Sequence, residues 1–153
     1  VIQLRDTVFI DAPPEKVWAW LCDLPGHYRE WHPSHVRCGY VRGSTLETGA
    51  VLEVEEELHG RVHRLKLRAT EVAPGRLLRY SSWGLRGGFL LEGANGGTRF
   101  TATLDFGFEA PFLARIADRV LARVFATRLA AAQTHMQEEG RNLKQLLERG
   151  HAA

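Results

Sequence analysis

Apolar and polar residues alternate over the first ten positions, Val1 to Ile10, with the period of a half-buried strand. The run ends at Asp11-Ala12-Pro13-Pro14-Glu15, where a capping carboxylate and prolines near a first turn open a helix. Val17, Trp18, Trp20 and Leu21 give this helix an apolar side. Leu24-Pro25-Gly26 reads as its break, with a short second helix expected over His27–Trp31. From Val36 the pattern becomes that of strands: Val36–Arg42, Ala50–His59, Val62–Val72, Leu77–Trp83, Gly88–Glu92 and Thr98–Phe108. Leu58-His59-Gly60, Ala73-Pro74-Gly75 and Asn95-Gly96-Gly97 supply turns between them. Consecutive strands with such short connections form an antiparallel meander. After Pro111 there is no further proline, the next glycine is Gly140, and strong helix formers dominate. One helix over Phe112–Glu148 would be roughly 55 Å long at 1.5 Å per residue. The expectation is an α+β fold over residues 1–150 as a single domain. A curved antiparallel sheet wraps around the long C-terminal helix, two short helices follow the first strand, and a hydrophobic cavity lies between sheet and helix.

Composition narrows the class. In 153 residues, 44% are hydrophobic and 25% charged, a globular profile that excludes collagen-like and disordered chains. No apolar run reaches the ~18–20 residues of a membrane span. VIQLRDTVFI carries charges where a signal peptide needs its apolar stretch, so a cytoplasmic protein is expected. Cys22 and Cys38 lack CxxC spacing and read as reduced thiols. The net charge of +2, without a dense basic face, argues against a nucleic-acid partner. There is no GxSxG elbow, and Gly84-Leu85-Arg86-Gly87-Gly88 reads as a turn without a P-loop ending.

The chain resembles the START-like (SRPBCC, helix-grip) superfamily of polyketide cyclase/dehydrase-like proteins and plant allergen-type lipid binders. The resemblance is carried by Ile10-Asp11-Ala12-Pro13-Pro14-Glu15-Lys16-Val17-Trp18, by Asp23, Tyr28 and Trp31, by Val72-Ala73-Pro74-Gly75-Arg76-Leu77, and by Gly96-Gly97-Thr98-Arg99-Phe100. It implies a fold that hosts many functions, so the chemistry must come from polar groups facing the cavity.

At roughly 100° per residue, Leu121, Val124, Phe125, Leu129, Ala132, Met136, Leu143, Leu146 and Leu147 share one arc of the long helix. His135 and Glu139 fall on that arc, one turn apart, while Glu138 lies outside it as a solvated charge. Either the two residues bond only each other, or they converge on a ligand. Trp31-His32-Pro33-Ser34-His35 presents two imidazoles near the cavity mouth. In the next strand Leu52, Val54, Glu56 and Leu58 share a face, with Glu57 inward instead if a bulge intervenes. His35, Glu56, His135 and Glu139 together suit a divalent metal, zinc above all, with His32 the alternative to His35. His32 and His63 are the candidates for proton transfer. His63 shares a strand face with Leu65, Leu67 and Ala69, and Arg128 sits on the helix's inward arc. Trp31, Tyr80, Trp83 and Arg128 are the candidate substrate contacts, and the wealth of aromatics favours a small hydrophobic or aromatic ligand.

The Trp31…His35 turn, the acidic strand residue and His135-x-x-x-Glu139 are also similar to the diacetylphloroglucinol hydrolase-like proteins. That likeness implies metal-dependent cleavage of a carbon–carbon bond beside an aromatic ketone. The leading expectation is therefore a zinc-dependent hydrolase or lyase/cyclase acting on a small aromatic or polyketide-like carbonyl compound. The alternative is a non-catalytic carrier of a lipid or polyketide-like ligand. A long helix with apolar residues at its end leaves a homodimer open.

Overall fold

Strand β1 (Ile2–Ile10) points its even-numbered residues inward and its odd-numbered ones to solvent, as the alternation requires. A computed structural model describes residues 2–58, 60–106 and 126–149 of the chain. Helices α1 (Pro14–Cys22) and α2 (Leu24–Trp31) follow, then strands β2 (His35–Arg42), β3 (Val51–Leu58), β4 (Arg61–Ala73), β5 (Leu77–Ser82), β6 (Leu85–Ala94) and β7 (Gly97–Phe106), and finally helix α3 (Ala126–Glu148). The strands form one antiparallel sheet in the order β1-β7-β6-β5-β4-β3-β2. This is the helix-grip arrangement expected from the sequence. No helix among the described residues is long and apolar enough to cross a membrane.

Two starts differ most from the sequence pattern, those of α2 and β6, each three residues earlier than expected. Leu24-Pro25-Gly26 opens α2 instead of separating it from α1, because proline is tolerated in a first turn where its missing N–H has no helical partner. Asp23 alone divides the two helices. Strand β6 begins at Leu85, so Gly87 and Gly88 lie within it and the turn is confined to Trp83-Gly84, with Gly84 at φ +68°. Their missing side chains make room. A Cβ on Gly87 would stand 2.6 Å from the Tyr80 ring, and one on Gly88 would stand 2.6 Å from the Leu78 carbonyl oxygen. Residues 112–125 of the expected long helix lie outside the described residues.

Helix α3 is held along edge strand β1 from Gln133 to its C-terminal end. Gln133 Nε2 donates to the Arg5 carbonyl at 3.2 Å, and Lys144 Nζ donates to that of Phe9 at 2.9 Å. Glu148 accepts the Asp11 amide at 2.8 Å. Gly140 permits this approach, since a Cβ there would meet Asp6 Oδ2 at 2.9 Å. An edge strand otherwise offers unpaired carbonyls to other chains, and α3 occupies two of them. On the other side Met136, Leu143 and Leu147 are buried in the core with Val17, Leu21 and Phe100. Trp31 joins α2 to the helix: its Nε1–H donates to the Glu139 carbonyl at 3.0 Å, and its own carbonyl accepts from Asn142 Nδ2 at 2.9 Å.

Because Tyr80 lies against Gly87, Gly87→Val should lower unfolding stability by about 1–3 kcal/mol, the usual range for overpacking. Gly39→Ala, where nothing lies within 4 Å of the added Cβ, should change it by less than about 0.5 kcal/mol. Urea titration of the two variants beside wild type measures both.

Candidate functional site

Four elements build one end of the cavity. β2 and β3 pair with His35 directly opposite Glu56, so the two side chains stand on the same face. The register shifts just beyond, between His35 and Arg37, leaving Val36 exposed. β3 itself keeps its alternation: Leu52 and Val54 are buried, Glu56 is partly buried on their face, and Glu57 is exposed. From α3, His135 and Glu139 project one turn apart, and α2 contributes Tyr28. The ligating atoms of His35, Glu56, His135 and Glu139 all lie within 4.8 Å of one another.

Tyr28 organises this group. Its backbone carbonyl accepts from His35 Nδ1 at 2.9 Å, its ring stacks on the imidazole at 3.9 Å, and its hydroxyl donates to Glu56 Oε1 at 2.6 Å. A carbonyl can only accept, so His35 carries its proton on Nδ1 and turns Nε2 inward. That Nε2 lies 2.9 Å from Glu139 Oε1 and 3.8 Å from Glu56 Oε1. It is nevertheless buried without a properly directed hydrogen bond. His135 Nε2 lies 3.1 Å from the same Glu139 oxygen.

His32 has the opposite tautomer. Its Nδ1 accepts from the Ser34 amide at 3.0 Å and the Ser34 hydroxyl at 2.8 Å, so its proton is on Nε2, which donates to Glu138 Oε2 at 2.6 Å. With both nitrogens engaged, His32 stands beside the cluster as a wall, its ring centroid 4.2 Å from that of His135. Of the two imidazoles in the turn, His35 has the free lone pair. Glu138 is thus not the unattached surface charge that the helical arc implied, although its side chain remains 42% exposed.

Other residues fall differently from expectation. His63 sits opposite Glu56 in register but is exposed, as is Leu65 on the same face. The β3–β4 hairpin extends past the packed part of the sheet there, so the inward face of a strand is no longer a buried one. Trp83 is 88% exposed, because β5 ends at Ser82 and places it in the turn. Tyr80 and Trp31 do line the cavity, and the side chain of Arg128 lies outside the described residues. Tyr28 is the site residue that the sequence pattern did not assign to the cluster. Its spacing of three from Trp31 on α2 puts both on one helix face, which is the signal that could have found it.

The cavity measures about 90 Å³. That is several times the ~10–15 Å³ that one water requires. Among the described residues its walls include Leu46, Leu52, Val54, Leu67 and Leu78, with Tyr28, Trp31, Tyr80 and Phe89, and the carboxylates of Glu56 and Glu139 reach into it. Burial alone would raise the Glu139 pKa, but the hydrogen bond and charge of His135, with the His35 ring close by, outweigh it and hold the carboxyl at about 2. For His135, burial pulls the pKa down, while the bond to Glu139 and the charges of Glu139, Glu56 and Glu138 leave it raised. Burial, reinforced by Glu56, raises that of Tyr28, so its hydroxyl stays a proton donor.

A helix-gripping sheet with a histidine–carboxylate cluster at one end of an apolar cavity is the class that fold and site define. Residues 1–148 match the family described as Polyketide cyclase / dehydrase and lipid transport, and the chain belongs to that family. No curated protein matches the sequence. Among solved structures, the chain is similar to TTHA0849 from Thermus thermophilus, with 15% identity and a TM-score of 0.75 over 99% of this chain and 100% of that one. It is similar also to the Polyketide_cyc-like protein Cgl2372 from Corynebacterium glutamicum, with 20% identity and a TM-score of 0.67 over 98% and 93%. The Zhui aromatase/cyclase from Streptomyces sp. R1128 superposes with a TM-score of 0.68 at 17% identity, over 99% and 96%. At these identities the likeness establishes the fold.

The His135–Glu139 pair carries a pH signature in metal-free protein. His135, raised above 6.5, contributes stability that is complete below pH 6.5 and lost as pH rises through its raised value. Glu139, lowered from 4.5, contributes stability present above pH 4.5 and lost as pH falls toward about 2. The melting-temperature difference between wild type and His135→Ala should therefore be largest between about pH 4.5 and 6.5 and shrink on both sides. Scanning calorimetry in chelator across that range measures it, and a pH-independent difference would contradict the pairing.

Proposed function

We propose that this protein is a metal-dependent enzyme, a hydrolase or lyase/cyclase acting on a small aromatic or polyketide-like carbonyl compound. His35, Glu56, His135 and Glu139 hold one divalent ion, zinc by preference of the nitrogen and oxygen donors. One observation carries this reading. With the His35 proton committed to the Tyr28 carbonyl, the lone pair of Nε2 faces a carboxylate oxygen of Glu139 at 2.9 Å. Two acceptors at that distance repel unless a positive charge lies between them. A proton on Nε2 would serve, but no hydrogen bond leaves that atom in a suitable direction. The donor set therefore fits a cation.

When bound, the ion supplies a Lewis acid for a substrate carbonyl and lowers the pKa of a water. The chain's own residues do the rest. Tyr28 fixes the orientation of both Glu56 and His35, the role that outer partners of metal ligands commonly play. Trp31, Tyr80 and Phe89 provide flat apolar walls for an aromatic substrate and keep water from the inner end. His32 remains the candidate for proton transfer at the edge of the cluster, whereas His63 is too exposed to share it. The family description, and the aromatase/cyclase named among the similar structures, support a polyketide-like substrate. The likeness to diacetylphloroglucinol hydrolase-like proteins favours hydrolysis.

A carrier without chemistry is the second reading. It is favoured by the lipid transport in the family's description and by the fact that Tyr28 and His135 already provide donors for both carboxylates.

Metal analysis separates the two. Untagged wild type should contain about one equivalent of zinc or another transition ion by plasma mass spectrometry, and His135→Ala and Glu139→Ala should contain none. Tyr28→Phe should keep the site but weaken zinc binding about 10–100-fold, the usual cost of losing an outer partner. Zinc-free wild type, even after incubation with the ion, leaves the carrier.

A further inference from the structure

The turn that delivers His35 also places His32 between a serine and a carboxylate, Ser34 and Glu138, that the metal reading leaves unused. Ser34 Oγ lies 2.8 Å from His32 Nδ1, and His32 Nε2 lies 2.6 Å from Glu138 Oε2. The Ser34 amide also donates to Nδ1, at 3.0 Å, so this nitrogen is unprotonated at rest. The hydroxyl is consequently a donor to an unprotonated imidazole nitrogen, whose lone pair it shares with the amide, and the imidazole is oriented from its far side by a carboxylate. Hydroxyl, base and orienting carboxylate in this order are the parts of an activated serine, recognised by geometry and not by position in the chain.

We infer that Ser34, His32 and Glu138 form a second, metal-independent site in which Ser34 is the nucleophile toward small, unhindered esters. His32 is nearly buried at 8% exposure, which shields the base, while Ser34 is partly exposed. None of the three lines the apolar cavity, so the substrate approaches from the solvent side and must be small. As Oγ bonds to the acyl carbon, its proton passes to His32 Nδ1. The bond from that carbon to the alcohol oxygen then breaks, and the departing alcohol takes the proton. Water repeats the sequence on the acyl-serine, which releases the carboxylic acid and restores the hydroxyl. Taking up the proton costs the bond from the Ser34 amide. The paired charge of Glu138 offsets that cost by stabilising the imidazolium.

The test is labelling with a small fluorophosphonate in the presence of chelator, so that the metal reading and this one fail separately. Intact mass and peptide mapping should find one adduct, on Ser34, in wild type and in Ser44→Ala, and none at that peptide in Ser34→Ala. His32→Ala should label about 10²-fold more slowly, the scale of a lost general base. Glu138→Gln, a change at a half-exposed position that retains the fold, should label more slowly than wild type. Release of p-nitrophenol from p-nitrophenyl acetate should follow the same order. Absence of the Ser34 adduct in wild type overturns the proposal. So does an equal labelling rate in Glu138→Gln, whether or not His32→Ala folds.

Discussion

Two carboxylates set into an apolar cavity are the constraint around which the rest of this structure is arranged. An ionised carboxylate taken out of water is costly unless it is hydrogen-bonded and paired. Glu56 receives the Tyr28 hydroxyl, and Glu139 receives His135 and faces His35. Those partners come from α2, β2 and α3, so the cost is met only when three separate elements arrive in register with β3. The cluster is therefore both the polar end of the cavity and a condition on how the helices seat against the sheet.

Seating is achieved by backbone bonds as much as by apolar packing. Trp31 is buried against Phe89 and Trp20, yet its indole N–H and its carbonyl both bond α3 beside Glu139. The same residue thus forms a cavity wall and sets the height of Glu139 relative to His35. At the edge of the sheet, Gln133, Lys144 and Glu148 fix the helix along β1, and Gly140 sets how closely it lies. A slip of one turn along that edge would move His135 and Glu139 about 5.4 Å. No cluster would then form.

The turn between α2 and β2 assigns opposite tautomers to two histidines three residues apart. His35 gives its Nδ1 proton to a helix-end carbonyl, and His32 takes an amide proton on the same atom. The difference lies entirely in which backbone group each ring meets. It separates an imidazole with a free inward lone pair from one bound between Ser34 and Glu138, and so divides the two chemistries proposed for this end of the molecule.

Much of the architecture was legible in the pattern of side chains. A period of two placed Glu56 with Leu52 and Val54, and roughly 100° per residue placed His135 and Glu139 with Met136, Leu143 and Leu147; both facings hold in the structure. Such periods are properties of one element and need no knowledge of its neighbours. They do not say how far an element extends beyond the packed region, so the inward-facing His63 is exposed and Trp83 falls in a turn. Nor do they distinguish a glycine that breaks a strand from one that admits a ring, as Gly87 admits Tyr80. The pairings of Tyr28 with Glu56, His32 with Glu138 and His35 with Glu139 join residues 28 to 106 positions apart. The sequence by itself determined which faces carry the inward histidine and carboxylates, because facing is local. Only the tertiary structure decided which of those groups meet and which nitrogen of each histidine is free, because both depend on contacts between elements distant in the chain.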